Sequence, residues 1–384
     1  MESLTTKKGL FVCFEFDISK KNETSSGIAK KIYNQYYYFV NKKIDMNFYN
    51  PYKNDFRKLW FRLCRRIPLF GHFYKWEELE KYNYDFVYIR KAWFSDYDMI
   101  KFLKKIKKGN PNTKIIMEIP TYPYDNEVMK FTDYTLLYKE RIYRRSFYKY
   151  VDRISTYSTD QMIFNVPTIC THNGILYDEE KIDFEHIKIP NNNEEINIIS
   201  VSNLGFWHGV DRAVLGLANY YSSNYNKTIK LHIVGDGIEK QNLEKLVDKY
   251  HLNEQVIFYG QKNKSELTSL YAKCDIGLDS LGRHRSNVYW NSSLKSKEYL
   301  SKGLFIVTSV NSELDYCELP CILKIPADES PLNYNDVLHF IPKYDSIIDR
   351  INQKKIISKF AKENYDFSVV LKPIYDYLED SLCQ

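Results

Sequence analysis

Apolar and polar positions along the chain follow two different periods, and these periods predict its secondary structure. Short apolar runs predict buried strands, and stretches with apolar residues three or four apart predict amphipathic helices. Strands are predicted over Leu10–Phe16, Phe86–Arg90, Lys114–Ile119, Arg153–Tyr157, Thr168–Thr171, Ile196–Ser202, Lys230–Val234, Gln255–Tyr259, Asp275–Asp279 and Leu304–Thr308. Helices are predicted between them, for example over Gly27–Val40, Asp98–Lys108, Val210–Tyr221, Glu239–Tyr250, Ser265–Lys273 and Ser293–Ser301.

This alternation of strands and helices predicts an α/β protein with parallel sheets that are covered on both faces. The pattern runs twice, and the Pro- and Asn-rich segment 189–193 separates the two runs. We therefore predict two doubly wound domains, residues 1–188 and 195–360, facing a cleft of the kind in which such sheets bind ligands. A long helical pattern from Ile356 to Leu382 predicts that residues 361–384 cross back to the first domain.

Composition narrows the class of protein. The 384 residues suffice for two domains, and 44% hydrophobic and 27% charged residues are typical of a globular protein. The chain lacks an apolar run of the roughly 18 residues that a membrane span needs, and its start does not resemble a signal peptide. The seven cysteines are scattered, which predicts reduced thiols in a cytoplasmic protein without structural zinc.

The net charge of +6 is concentrated in the first half, where residues 1–190 carry 33 Lys and Arg against 24 Asp and Glu. Segment 54–67 predicts a helix with an apolar stripe that includes Trp60. Its other face carries Arg57, Lys58, Arg62, Arg65 and Arg66. Such a helix either lies on an anionic membrane or packs on the core with a solvated basic face. Basic and tyrosine residues in 138–153 extend this surface, whereas no nucleic-acid module is recognisable.

The segment 275–309 carries the clearest chemical signal. It predicts a strand, a polar loop, a helix and a second strand, with Ser292 and Ser293 where the helix begins. Backbone N–H groups at a helix start favour a bound anion, and both serines serve equally well as helix caps. Lys295 lies in the first turn, and the carboxylate of Glu298, one turn further, suits a ribose diol. Phosphate and ribose together predict a nucleotide-sugar site. The alternative is that the two side chains simply form an ordinary surface ion pair with each other.

Several short motifs occur in order along the second half. They are Ser200-Val201-Ser202-Asn203, His208-Gly209-Val210-Asp211-Arg212, Val234-Gly235-Asp236-Gly237, Val256-Ile257-Phe258-Tyr259-Gly260, Leu270-Tyr271, Asp275-Ile276-Gly277 and Leu294 to Gly303. In this order and spacing they resemble the nucleotide-binding domain of the retaining family-4 glycosyltransferases. The Trp207-His208-Gly209 variant resembles the bacterial capsule and exopolysaccharide members.

The resemblance implies a GT-B fold and transfer of a sugar from a nucleotide-diphosphate sugar with retention of configuration. It implies neither a metal nor a cofactor. The donor-binding residues that we predict on this basis are Gly27, Thr121, Tyr122, His208, Gly260, Arg285, Ser292, Ser293, Leu294, Lys295 and Glu298. UDP is the favoured nucleotide, and a glycan or lipid-linked glycan is the expected acceptor.

Two features depart from the family. Trp290 occupies the place of the first of two acidic residues eight apart, of which Glu298 matches the second. The Arg and Lys that usually hold the diphosphate are replaced by a segment with only His208. By motif, the nearest remaining sources of positive charge are Arg283, Arg285 and Lys295.

In the first half, Gly27 opens a helix that follows the first strand. Glu118 ends an apolar strand, where a side chain in this fold faces the ligand edge. We predict Glu118 as a catalytic, sugar-contacting residue, together with Thr121 and Tyr122. The Asp96-Tyr97-Asp98 triplet resembles a metal-binding D-x-D, but it begins a predicted helix and is better explained as a cap.

The sequence therefore predicts a metal-independent glycosyltransferase of surface polysaccharide synthesis, cytoplasmic and at the inner face of the membrane. Two alternatives remain. A nucleotide-sugar epimerase of the same fold needs an acid/base pair that the sequence does not offer. A non-catalytic partner subunit is suggested by Trp290 and the missing Arg/Lys pair.

Overall fold

A computed structural model of the chain describes residues 7–14, 27–51, 66–68, 83–91, 94–125, 133–177, 182, 184, 195–223, 225, 227–342 and 346–383. The chain divides into two compact units. Unit 1 comprises Met1–His172 and Phe367–Gln384, and unit 2 comprises Asn173–Asp366. Unit 2 thus begins before the predicted break at 189–193, which lies outside the described residues.

Thirteen strands are described. They are β1 (Lys8–Cys13), β2 (Asp45–Tyr49), β3 (Phe86–Arg90), β4 (Lys114–Glu118), β5 (Arg153–Thr156), β6 (Met162–Ile163), β7 (Val166–Cys170), β8 (Glu195–Val201), β9 (Thr228–Val234), β10 (Val256–Phe258), β11 (Ile276–Leu278), β12 (Phe305–Thr308) and β13 (Ile322–Lys324).

The described α-helices lie between and after these strands. They are α1 (Gly27–Asn41), α2 (Tyr97–Gly109), α3 (Tyr134–Tyr143), α4 (Val210–Tyr221), α5 (Lys240–Lys249), α6 (Lys264–Lys273), α7 (Leu294–Ser301), α8 (Tyr334–Phe340), α9 (Ile347–Tyr365), α10 (Phe367–Val370) and α11 (Lys372–Leu382). None of these helices is both long and apolar enough to cross a bilayer.

Unit 1 is built on a sheet with the strand order β2-β1-β3-β4-β5-β7-β6. All neighbours pair in parallel except β6 and β7. The middle strands β3, β4 and β5 are buried along most of their length because both faces of a parallel sheet are covered. Leu10, Val87, Ile115 and Ile154 are fully buried in one cluster.

Unit 2 is built on an all-parallel sheet with the order β10-β9-β8-β11-β12-β13. From β8 the chain proceeds outwards through β9 and β10, and it then returns to the other side of β8 as β11. The strand order therefore reverses between β8 and β11, and at such a point an open α/β sheet has a crevice at its carboxyl edge. The predicted α/β class with two parallel-sheet domains is confirmed.

The helical pattern near the carboxyl end is divided among three helices rather than one. Asp366 separates α9 from α10 because its backbone is extended and forms a β-bridge with Ile175. Its carboxylate also accepts a hydrogen bond from the backbone N–H of Tyr177 at 3.1 Å. Pro373 lies in the first turn of α11, where its missing N–H is tolerated.

A buried ion pair joins α9 to the sheet of unit 2. Arg350 and Asp275 each have only 4% of their side chain exposed. The guanidinium Nε donates to Asp275 Oδ1 at 2.7 Å, and the backbone N–H of Asn197 donates to Oδ2 at 3.0 Å. A single carboxylate therefore ties a helix to the starts of β8 and β11.

Replacing Asp275 by Ala leaves the guanidinium of Arg350 buried without this carboxylate. We expect the free energy of unfolding to fall by about 3–5 kcal/mol, measured by urea denaturation of the whole chain. The control is Glu363→Ala on the same helix, because Glu363 forms an exposed pair with Lys359 at 3.7 Å. A surface pair contributes roughly 0.5 kcal/mol or less, so equal losses in the two variants would contradict the assignment.

Candidate functional site

The loops that follow β8 and β11 are held together by two glycines. Gly209 has φ +65°, and a Cβ there would lie 2.6 Å from the backbone N of Gly282. The backbone N–H of Leu281 donates to the carbonyl of His208 at 2.9 Å. Only glycine combines this φ with so close an approach. The contact brings side chains from both loops to the point where the strand order reverses.

His208 lies at this contact and is neutral. Its Nδ1 is 3.2 Å from Lys295 Nζ, and its Nε2 is 3.1 Å from Asn203 Oδ1. An ammonium group only donates, so Nδ1 accepts and the ring proton resides on Nε2, which donates to Asn203. Burial, with the charges of Lys295 and Arg283, lowers the pKa of His208 to about 2.

Lys295 lies in the first turn of α7 and forms a cluster with His208, Ser280 and Asp279. Its Nζ also lies 3.4 Å from Ser280 Oγ and 3.8 Å from Asp279 Oδ1, and 19% of its side chain is exposed. Burial lowers the pKa of Lys295, and the nearby carboxylate of Asp279 opposes this shift. The ammonium group is thus partly desolvated, which strengthens its interaction with an anion.

The start of α7 is capped from within unit 2. Ser293 is the N-cap, and its hydroxyl accepts a hydrogen bond from the backbone N–H of Lys295 at 3.2 Å. Ser292 is buried, accepts from the backbone N–H of Asn173 and donates to Glu313, both at 3.0 Å. Ser292 therefore anchors the loop. Leu294 is half-buried and is the first residue of the helix.

Glu298 lies one turn further along α7 and is half-buried. Its Oε1 accepts a hydrogen bond from the hydroxyl of Tyr271 at 2.9 Å. Lys295 and Glu298 are three residues apart, a rise of roughly 4.5 Å along the helix. The helix thus carries a cation in its first turn and a carboxylate in its second.

Arg285 does not contribute its charge to this cluster. Its guanidinium donates to both carboxylate oxygens of Asp211, to Glu329 and to the carbonyl of Phe206. Hydrogen bonds to Glu329 and Asp211 raise the pKa of Arg285 above its ordinary value. Its fork is occupied by two internal carboxylates, so the predicted phosphate contact has no support from this geometry.

The two glycines predicted at the donor site have different settings. Gly260 follows β10 with φ +64°, and its carbonyl accepts a hydrogen bond from the backbone N–H of Gly235 at 2.8 Å. Gly27 is the first residue of α1 in unit 1. A Cβ at either position would meet no atom within 4 Å, so packing does not explain the choice of glycine.

Glu118 ends β4 in unit 1, but its side chain has no exposed surface. It accepts hydrogen bonds from Lys31 Nζ at 2.9 Å, Arg90 Nη1 at 2.6 Å and the hydroxyls of Tyr88 and Tyr157 at 3.0 Å. Burial raises its pKa, but the charges of Lys31 and Arg90 outweigh this effect and hold the pKa well below its usual range. Glu118 is therefore a buried counter-ion. Because its carboxylate is not exposed, the geometry does not support the predicted contact of Glu118 with a sugar.

The other predicted residues of unit 1 are only partly described. Thr121 and Tyr122 are half-buried, and the ring of Tyr122 packs edge-on against Phe164. The predicted basic helix 54–67 lies outside the described residues except for Arg66 and Ile67. Its Arg57, Lys58, Trp60, Arg62 and Arg65 thus stay predictions.

The Asp96-Tyr97-Asp98 triplet begins α2, as expected. The carboxylate of Asp96 is the N-cap and accepts a hydrogen bond from the backbone N–H of Met99 at 2.9 Å. Across the part of the chain that the structure describes, no three His, Cys, Asp or Glu side chains are grouped to hold a metal ion.

Sequence patterns alone did not identify Asp279, Ser280 and Tyr271 as residues of the candidate site. Asp279 and Ser280 directly follow β11, and polar residues after a buried parallel strand face the ligand edge. Asp279 and Ser280 could therefore have been predicted from the sequence. The contact of Tyr271 with Glu298 could not be predicted, because it depends on how α6 packs against α7.

Comparison with known proteins gives the fold. Glycosyltransferase from Rickettsia africae ESF-5 aligns with a TM-score of 0.62 at 11% identity, covering 98% of both chains. Sucrose-phosphate synthase from Thermosynechococcus elongatus aligns with a TM-score of 0.65 at 13% identity, and the alignment covers 98% of this chain and 100% of the synthase chain. The fold is that of the GT-B glycosyltransferases.

Further matches bear on unit 2 and on the whole chain. Residues 181–278 match the family model of glycosyl transferases group 1. The structure of Alr3699/HepE of Anabaena in complex with UDP-glucose aligns with this protein at a TM-score of 0.56 and 12% identity. The alignment covers 97% of this chain and 100% of the HepE chain. No curated protein matches the sequence significantly.

The protonation of His208 can be tested directly. We expect nitrogen NMR of histidine-labelled protein to show a neutral Nε2–H ring with no titration between pH 5 and pH 8. A Lys295→Met variant removes one of the charges that lower the pKa, so the pKa of His208 should rise in it. A wild-type midpoint near pH 6.5, or no shift in the variant, would show that the cluster is not formed as described.

Proposed function

We propose that this protein is a glycosyltransferase that takes a nucleotide-diphosphate sugar, preferably a UDP-sugar, as its donor. The GT-B fold, the group 1 match over residues 181–278 and the structural similarity to a UDP-glucose complex support this proposal. The observation that carries it is the arrangement of Lys295 and Glu298 on α7, where the strand order of unit 2 reverses.

Each part of the donor has a matching group in unit 2. The N–H groups that begin α7 and the ammonium of Lys295 suit the diphosphate, as helix starts suit anions generally. The carboxylate of Glu298 suits the ribose hydroxyls. The backbone near Gly260 is our candidate for the base. His208 keeps Lys295 in place without adding a second charge.

The proposed reaction forms a bond between the acceptor oxygen and the anomeric carbon while the bond from that carbon to the diphosphate breaks. The electron pair passes to the diphosphate oxygen, which Lys295 and the helix N–H groups stabilise as an oxyanion hole would. The acceptor proton passes to the departing phosphate on the same face, which gives retention. This scheme requires no metal or cofactor.

The acceptor that we propose is a glycan or lipid-linked glycan of surface polysaccharide synthesis at the inner face of the membrane. In unit 1, α3 and the 3-10 helix Arg144–Lys149 expose an aromatic-basic surface. It comprises Tyr134, Tyr138, Ile142, Arg145, Tyr148 and Lys149. The four apolar or aromatic members are between 39% and 62% exposed. Exposed tyrosines with cations suit an anionic interface.

One observation favours the non-catalytic alternative. Trp290, in place of the first acid of the family motif, pairs with Asn311 in a β-bridge, and its ring lies 6.5 Å from that of Tyr316. An indole cannot serve as an acid or a base. The loss of this carboxylate is what the non-catalytic alternative would explain, and a catalytic protein would have to transfer the sugar without it.

Isothermal titration with UDP tests the donor site. We expect Glu298→Ala to weaken binding at least tenfold, about 1.4 kcal/mol, because the ribose loses its acceptor. Glu363→Ala removes an exposed glutamate elsewhere in unit 2 and should leave the affinity unchanged. Equal affinities in all three proteins would remove Glu298 from the site.

Incubation with UDP-sugars distinguishes the classes of activity. Conversion of the sugar without an acceptor would indicate an epimerase, whereas release of UDP dependent on an acceptor is the expected result. If neither UDP nor GDP binds the wild-type protein, the donor-site proposal fails and the partner-subunit alternative is favoured.

Sedimentation with vesicles tests the aromatic-basic surface. Each basic residue near an anionic surface contributes about 1 kcal/mol. We therefore expect Arg145→Gln with Lys149→Gln to reduce partitioning onto phosphatidylglycerol vesicles roughly 30-fold. Lys245→Gln with Lys249→Gln on α5 removes the same charge from exposed positions in unit 2. A similar loss in both double variants would point to net charge alone.

A further inference from the structure

The hydroxyl of Tyr271 has a defined direction. Tyr271 lies on α6 with 1% of its surface exposed, and its ring packs edge-on against that of Tyr299 at 5.9 Å. With the ring held in the core, the hydroxyl cannot swing away from Glu298. Its only proton is directed at Oε1 of that carboxylate, at 2.9 Å.

The hydroxyl of Tyr271 remains a donor at neutral pH. Burial first, and then the negative charge of Glu298, raise the pKa of Tyr271 well above its ordinary value. A phenol that stays protonated donates, and the carboxylate accepts. The polarity of the hydrogen bond is therefore fixed.

A second group lies near the same carboxylate. Lys302, in the residue after α7, is 2% exposed, and its Nζ lies 5.9 Å from the centre of the Tyr271 ring. Burial lowers the pKa of Lys302 to about 8, and the charge of Glu298 acts in the opposite direction. Glu298 thus accepts a hydrogen bond from a neutral donor and also interacts electrostatically with Lys302.

We propose that Tyr271 is a positioning residue that holds Glu298 so that its carboxylate meets the ribose diol and selects ribonucleotides over deoxyribonucleotides. This inference rests on the proposed function and deepens it. An ionised carboxylate has about four lone-pair sites. Tyr271 takes one of them, which leaves enough for two hydroxyl groups of a ribose.

The energetic reason is preorganisation. A long glutamate side chain that moves freely must give up rotamer freedom when it binds, and this loss weakens binding. The hydrogen bond from Tyr271 restricts the side chain before the nucleotide arrives. Its loss should therefore be felt at the ribose and not at the phosphates, which Lys295 and the start of α7 bind.

The experiment measures dissociation constants of UDP and 2′-deoxy-UDP by titration calorimetry. We expect wild-type protein to prefer UDP at least tenfold. Tyr271→Phe should reduce this preference by a factor of about three to ten and change the affinity for 2′-deoxy-UDP less than twofold. The matched control is Tyr334→Phe, because the hydroxyl of Tyr334 is also buried in unit 2 and donates to the carbonyl of Ala213 at 3.1 Å. It should keep the wild-type preference.

A double-mutant cycle separates positioning from general packing. Glu298→Gln should itself reduce the preference, and Tyr271→Phe should add no further effect in that background. Additive effects of the two substitutions would overturn the inference, as would equal weakening of both nucleotides by Tyr271→Phe.

The outcomes also separate the inference from the proposed function. If wild-type protein binds UDP and 2′-deoxy-UDP equally, Glu298 does not bind the diol and the inference fails while the donor site stands. If wild-type protein binds neither nucleotide, the proposed function itself fails. If Tyr271→Phe does not fold, Glu298→Asp replaces it. The shorter side chain draws the carboxylate away from the Tyr271 hydroxyl, so we expect the same loss of preference, and an unchanged preference would overturn the inference.

Discussion

The close approach of Gly209 and Gly282 is the constraint on which the candidate site of unit 2 depends. The two loops leave neighbouring strands, and their backbones approach so closely here that a Cβ on Gly209 would lie 2.6 Å from the backbone N of Gly282. Their contact places His208 against Ser280 and Lys295, and it does so at the carboxyl edge where the strand order reverses. The chemistry of the cluster is therefore a consequence of backbone packing between two loops.

The cations near this site differ in how strongly internal partners already compensate their charge. Arg285 is held by Asp211 and Glu329, whereas Lys295 contacts a neutral imidazole, a hydroxyl and a carboxylate 3.8 Å away. In low-dielectric surroundings a weakly compensated ammonium attracts an anion strongly. Lys295 is therefore the cation of the cluster whose charge is least compensated, and the charge of Arg283 acts on the same His208.

Much of the fold could be predicted because the strands are buried on both faces and the helices between them are strongly periodic. Helix Val210–Tyr221 was predicted to the residue. β2 and β13 were missed, since partly exposed strands carry no continuous apolar run. The site was harder to predict: a motif locates Arg285 on a loop, but only tertiary packing determines that two internal carboxylates hold it. Burial of Glu118 among two cations and two tyrosines has the same origin.

Residues 367–384 belong to unit 1, and this has a consequence for folding during synthesis. Ile374 and Leu378 of α11 are fully buried, so the amino-terminal unit needs a segment that is synthesised only after all of unit 2. On the ribosome the second unit can fold as a contiguous stretch, while the first must wait for its missing helices. A fragment that ends at His172 would therefore expose apolar surface and is a poor choice for expression.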